Sequence, residues 1–164
     1  MPATIDTGKV IGRRELHFNS LQDIAADVDK LAEAKDIRTL GNWTAGQIFQ
    51  HLATTMNGSI DGMAFRAPWY IRFIVQTFFK RRFLTKPMSP GFQLPEQAAN
   101  VLLPPPTGLE EGLANCRKAL QRLQADSQRA PSPVLGVLTR EEWEQLHCRH
   151  AELHLSFLVP AAAG

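Results

Sequence analysis

Leu138-Thr139-Arg140-Glu141-Glu142-Trp143-Glu144-Gln145-Leu146-His147-Cys148-Arg149-His150-Ala151-Glu152-Leu153-His154-Leu155-Ser156-Phe157 is the stretch from which the fold is read. Thr139 and Glu142 form a T-x-x-E capping box, in which each side chain satisfies the other residue's backbone N–H and opens a helix. Trp143, Leu146, His150, Leu153, His154 and Phe157 then recur at helical spacing. Pro160 stops the element, so a helix over about 139–158 is predicted.

The same signals recur upstream. Ser20, with Asp23 three residues on, opens a helix over about 20–35 whose apolar face is Leu21, Ile24, Ala25, Val28, Leu31 and Ala32. Gly41-Asn42 breaks the chain, and Thr44 with Gln47 caps a second helix over about 44–61, buried through Ala45, Ile48, Leu52, Met56 and Ile60. Thr107 with Glu110 predicts a third cap and a helix over about 107–125, with the stripe Leu109, Leu113, Cys116, Leu120 and Leu123. Residues 1–19 read as extended, nothing reads as a sheet, and there is no internal repeat. Four amphipathic helices predict an all-α four-helix bundle in a single domain of 164 residues. The long connection 62–106 carries one extra helix, starting near Pro68 as a first-turn proline and running to about Leu84, and a proline-rich stretch up to Pro104-Pro105-Pro106. A connection of this length permits a crossover.

Composition narrows the function. Hydrophobic residues make up 44% and charged residues 21%, an ordinary globular balance, and the net charge of +2 is too small to imply a nucleic-acid partner. Met1-Pro2-Ala3-Thr4-Ile5-Asp6 lacks the basic and apolar regions of a signal peptide, so a cytoplasmic protein is expected. Cys116 and Cys148 lack metal-type spacing and read as free, buried thiols. The apolar stretch Trp69 to Phe79, interrupted by Arg72 and Gln76, is too short to span a bilayer. Between Arg66 and Leu84 aromatic residues alternate with Arg72, Lys80, Arg81 and Arg82; apolar residues cover too much of the wheel for a clean membrane-surface helix, and a lid or subunit contact is the favoured reading.

The chemistry sits in the last helix. His147, His150 and His154 fall within about 60° of one another on the wheel, on the face shared with Trp143 and Leu146. A buried neutral imidazole has two nitrogens to satisfy, and metal coordination satisfies one of them. His147 and His154 are about 10.5 Å apart along the axis, too far for one ion with metal–nitrogen bonds of about 2 Å. His150 therefore pairs with either His147 or His154, and i,i+4 is the spacing of helical zinc motifs. Another element must add a ligand. His51 in the second helix, flanked by Gln47 and Thr55 one turn either side, lies on the border of the buried face. That placement suits a pocket edge and equally an ordinary core–surface boundary. His17 reads as structural, and Glu152, about 200° from His150, should face away from the site, as should Cys148.

Trp43-Thr44-Ala45-Gly46-Gln47-Ile48-Phe49-Gln50-His51-Leu52-Ala53 resembles the second helix of the DinB-like (YfiT-type) superfamily. Leu138 to Trp143 with His147 to Leu155 resembles its fourth, the nearest likeness being to an uncharacterised bacterial branch. The resemblance covers most of 13–159 and implies a four-helix bundle with a long crossover between helices two and three. It implies one divalent metal ion, nickel or zinc, on His51, His150 and His154, leaving His147 near the pocket together with Gln47 and Thr55. Where that branch often has a histidine before the proline leading into the last helix, this chain has Ser132 before Pro133. Members of the superfamily are similar to thiol S-transferases that use a low-molecular-weight thiol, or to metal-dependent hydrolases, and they often form homodimers. The implied activity is activation of a thiol or water nucleophile against a small-molecule substrate. The alternative is a non-catalytic bundle with a structural metal, or a ligand-binding or stress-response module.

Overall fold

A computed structural model describes residues 4–91 and 94–161. The chain is mostly helical, with a minor two-stranded sheet. Three of the four predicted caps form, the first of them only in part. The helix α1 (Leu21–Glu33) begins after Ser20, whose side chain accepts from the Asp23 N–H, while the Asp23 carboxylate accepts from Asn19 N at 2.8 Å rather than from Ser20. Helix α2 (Ala45–Asp61) carries a complete capping box: Thr44 Oγ1 accepts from Gln47 N at 3.2 Å, and Gln47 Oε1 accepts from Thr44 N at 3.0 Å.

The connection after α2 departs from a single extra helix. Pro68 is the residue before the helix rather than its first member. The element is split into α3 (Trp69–Ile74), a π-helical turn over Val75–Phe79, and α4 (Lys80–Thr85). A further helix, α5 (Glu96–Leu102), has no counterpart in the sequence reading; the prolines around it mask its short span. Helix α6 (Leu109–Ala125) lacks the predicted Thr107 cap: Gly108 precedes it, and the Thr107 hydroxyl donates back to Pro105 O at 2.9 Å. The reason is the close crossing of α2 and α6. A Cβ on Gly46 would lie 2.3 Å from Thr107 O, and one on Gly112 would lie 2.3 Å from Gly46 O, so backbone meets backbone there.

Helix α7 (Arg140–Leu155) has the predicted box, Thr139 with Glu142, but ends at Leu155, short of the expected boundary near 158. The expectation of no sheet is overturned at this point. Leu158–Pro160 forms β2, antiparallel to β1 (Ile37–Thr39), with Arg38 opposite Val159. Such a short strand pair, joining distant parts of the chain, has no local signature to read. The N-terminal stretch contains a 3-10 turn at Thr7–Lys9 and otherwise runs extended to α7, where Arg14 N donates to Ser156 O at 2.9 Å.

The main core draws Ile24 and Leu31 from α1, Phe49, Leu52 and Met56 from α2, Leu123 from α6, Leu155 from α7 and Leu158 from β2, all buried. A smaller cluster of Leu135, Leu138 and Trp143 packs with Val75 and Leu146. Among the described residues, no helix is long and apolar enough to cross a membrane.

Candidate metal centre

Two helices that cross beside the core supply the site. The capping box fixes where α2 starts, and His51 follows about two turns in, buried at 3% exposure. The second box fixes α7, which places His150 and His154 one turn apart, both half-buried. Ligand atoms of His51, His150 and His154 all lie within 4.8 Å of one another, a grouping that can hold a metal ion. Their rings make an edge-on trio: His51 to His150 is 5.0 Å between centroids, His51 to His154 4.5 Å, and His150 to His154 4.6 Å.

The hydrogen bonds around the rings decide which nitrogen is free. His51 Nδ1 lies 2.7 Å from the carbonyl of Leu102, which can only accept, so Nδ1 carries the proton and Nε2 the lone pair. His150 Nδ1 lies 3.5 Å from Thr55 Oγ1, a hydroxyl that already donates to Leu52 O at 3.0 Å and therefore accepts from the ring. His150 Nε2 then also carries a lone pair. The two Nε2 atoms face each other at 3.1 Å. Two acceptors cannot satisfy one another, and a bridging proton would charge a ring that burial disfavours. For metal–nitrogen bonds of about 2.05 Å, that separation subtends about 100° at a shared ion, within the range of ordinary coordination geometries. The donor set therefore fits a divalent metal.

His154 completes the group. Its ring stacks on Trp43 at 5.5 Å with 10° between planes, and Trp43 also packs on His51 at 4.9 Å. Burial holds all three imidazoles below their usual range; His150 and His154 are lowered furthest, each also by neighbouring histidines, and Arg13 adds to the effect at His154. Neutral imidazoles are the metal-binding form.

A cavity of about 970 Å³ opens beside the trio. Its walls are largely apolar, including Phe65, Met88, Leu94, Leu135 and Phe157. Arg82 and Lys86 bring positive charge to it, and among the described residues its lining contains no carboxylate.

Of the other pocket candidates, Thr55 and His147 line this cavity and Gln47 does not. The Gln47 side chain is used up in the α2 cap and in donating to Pro104 O at 3.4 Å. His147 stands apart from the trio: its Nε2 donates to Ser59 Oγ at 3.0 Å, its ring stacks on Trp143, and burial with Arg129 nearby lowers it to about 3. Ser132 also lines the cavity, but its Oγ accepts from Leu135 N at 3.1 Å and holds the loop before α7. Glu152 faces away from the cavity, buried against Arg149 at 2.6 Å and accepting from Phe18 N at 2.6 Å. His17 is exposed. Cys116 and Cys148 are free and buried, each thiol pushed up to about 12, which keeps them protonated and unreactive.

Two contributors lie outside sequence reasoning. The Leu102 carbonyl belongs to α5 and, being backbone, leaves no trace in residue type. Trp43 sits directly before the Thr44 cap, a position that reads as part of a motif rather than as a stacking partner.

No curated protein and no solved structure matches the chain. The model of one family, described as a protein of unknown function (DUF1569), matches residues 10–161, and the chain belongs to that family.

Proposed function

We propose that this protein holds one divalent metal ion, nickel or zinc, on His51, His150 and His154, and uses it to activate a thiol for transfer to a small-molecule electrophile in the adjoining cavity. The observation that carries this is the pair of facing lone pairs, His51 Nε2 and His150 Nε2 at 3.1 Å, each fixed by a partner on its other nitrogen. When bound, such an ion lowers the pKa of a thiol or water held at its open positions. The chain's own residues do the rest. Leu102 and Thr55 set the tautomers of His51 and His150, as outer partners of metal-bound histidines do. Trp43 holds the His154 ring. The apolar walls limit water around the reacting groups.

A thiol is favoured over water by the lack of a base. No carboxylate among the described residues lines the cavity, and His147, at about 3, is too weak to take a proton. A thiol with an unperturbed pKa of about 8.5 needs far less help to ionise than water at about 15.7. Arg82 and Lys86 suit an anionic thiol or substrate. We place the chain in the cytoplasm as one DinB-like helical domain, a four-helix bundle of α1, α2, α6 and α7 with the insert between α2 and α6.

Cobalt substitution tests the reading. The Co²⁺-loaded protein is expected to change its visible absorption when glutathione or cysteamine is added, and His51→Ala to lose both the cobalt spectrum and the response while keeping its helical circular dichroism. A spectrum indifferent to thiols, with unfolding on metal removal, favours the second reading. In that reading the ion is structural, which the clamping of α2 to α7 by the trio supports.

A further inference from the structure

The segment from Arg66 to Lys86 is built inside out. Its large apolar side chains face solvent: Trp69 is 78% exposed, Phe78 71% and Phe73 62%, with Tyr70, Ile74 and Phe79 exposed beside them. Its inner side carries polar groups alongside Val75 and Leu84. Lys80 Nζ pairs with Glu142 of α7 at 2.7 Å, and the Gln76 amide lies against Gly136, where an added Cβ would be 2.6 Å from its Nε2. Leu84 is the only buried residue of α3, the π-helical turn and α4. A soluble helix places its residues the other way round, and contiguous exposed apolar surface of this kind marks a binding face.

The wheel of an unbroken helix spreads these aromatics too widely for one face. The π-helical turn at Val75–Phe79 interrupts that wheel, because an inserted residue shifts the helical phase of α4 relative to α3. Trp69, Tyr70, Phe73 and Ile74 of α3, Phe78 and Phe79 of the turn and Phe83 of α4 are all exposed.

Charge identifies the occupant. No Asp or Glu occurs between Asp61 and Glu96, while Arg66, Arg72, Lys80, Arg81, Arg82 and Lys86 all do. Lys80 is neutralised by Glu142, and Arg66, Arg81, Arg82 and Lys86 are exposed. A second copy of this face, related by a two-fold axis, would bring like charges together with no acidic residue in the segment to pair them. An anionic bilayer surface offers both a negative layer for the arginines and an apolar boundary for the aromatics, with Trp and Tyr suited to the headgroup level.

We infer that the Arg66–Lys86 face docks on an anionic membrane surface, its aromatic side chains entering the headgroup boundary. Arg82 and Phe83 also line the cavity, so the docked face borders the candidate metal centre.

Flotation of the full-length protein with phosphatidylcholine vesicles, with and without phosphatidylserine, tests this. Binding is expected only where phosphatidylserine is present, and is expected to fall as salt is raised. Arg66→Ser with Arg81→Ser should weaken it, by roughly fivefold for each charge removed. Phe73→Ser with Phe78→Ser should abolish it. Tryptophan emission should shift to the blue on vesicle addition, and Trp69→Phe should remove that shift. Circular dichroism of each variant, expected to match wild type, ties these losses to the surface. Equal binding to both vesicle types, or none to either, overturns the proposal. So does a dimer in sedimentation equilibrium that Phe73→Ser with Phe78→Ser disrupts while vesicles capture nothing.

Discussion

His147 is the residue that separates the candidate metal ligands of the last helix from its packing residues. It shares a face with His150 and His154, yet its nitrogen ends on Ser59, whose hydroxyl in turn donates to Met56 O at 2.7 Å. Helical spacing leaves His147 and His154 as rival partners for His150; the place where α2 crosses settles the grouping, and no residue type reports that. Burial holds His147 at about 3 against an ordinary value of 6.5. In the folded chain the ring stays neutral while the unfolded chain takes up a proton below 6.5, so the unfolded state gains as the pH falls. This contribution is fully present above 6.5 and is lost progressively toward 3, by up to about 1.4 kcal/mol per pH unit. Urea denaturation of the metal-free protein across that range should show His147→Gln losing less stability than wild type on acidification. Parallel profiles would mean that His147 protonates as readily folded as unfolded.

Among the elements, legibility follows locality. The boxes Thr44–Gln47 and Thr139–Glu142 join residues close in sequence, and both form as the sequence predicts. The Thr107–Glu110 box satisfies the same sequence rule and fails, because Gly46 and Gly112 draw the start of α6 against the backbone of α2. The β1–β2 pair, the π-helical turn and α5 likewise depend on what packs against them. This matters for the site, since α5 supplies the carbonyl that orients His51. Gly112→Ala would put a methyl 2.3 Å from Gly46 O, with backbone on both sides and no flexible side chain to yield. Separation of α2 from α6 should cost on the order of 2 kcal/mol or more, comparable to overpacking a core. Thermal denaturation should show a clear fall in Tm, whereas Gly108→Ala, which meets nothing within 4 Å, should differ from wild type only slightly.

For the whole molecule, the trio brings distant parts of the chain together. His51 and His150 are 99 residues apart, and their rings meet only because α2 and α7 pack on one core. The histidine trio is legible from spacing together with a resemblance; the cavity beside it is not, because much of its wall comes from the long connection and the loop before α7. That connection also carries the exposed aromatic face, so part of the cavity wall and the exposed face belong to the same segment. An ion bound to the folded chain and not to the unfolded one adds stability by mass action. The most direct measurement is the metal content, by mass spectrometry, of protein purified without an affinity tag, comparing wild type with His150→Ala. Wild type should carry close to one equivalent of nickel or zinc, and the variant should lose it while keeping its helical circular dichroism. Equal metal content in the two proteins would contradict the His51–His150–His154 site.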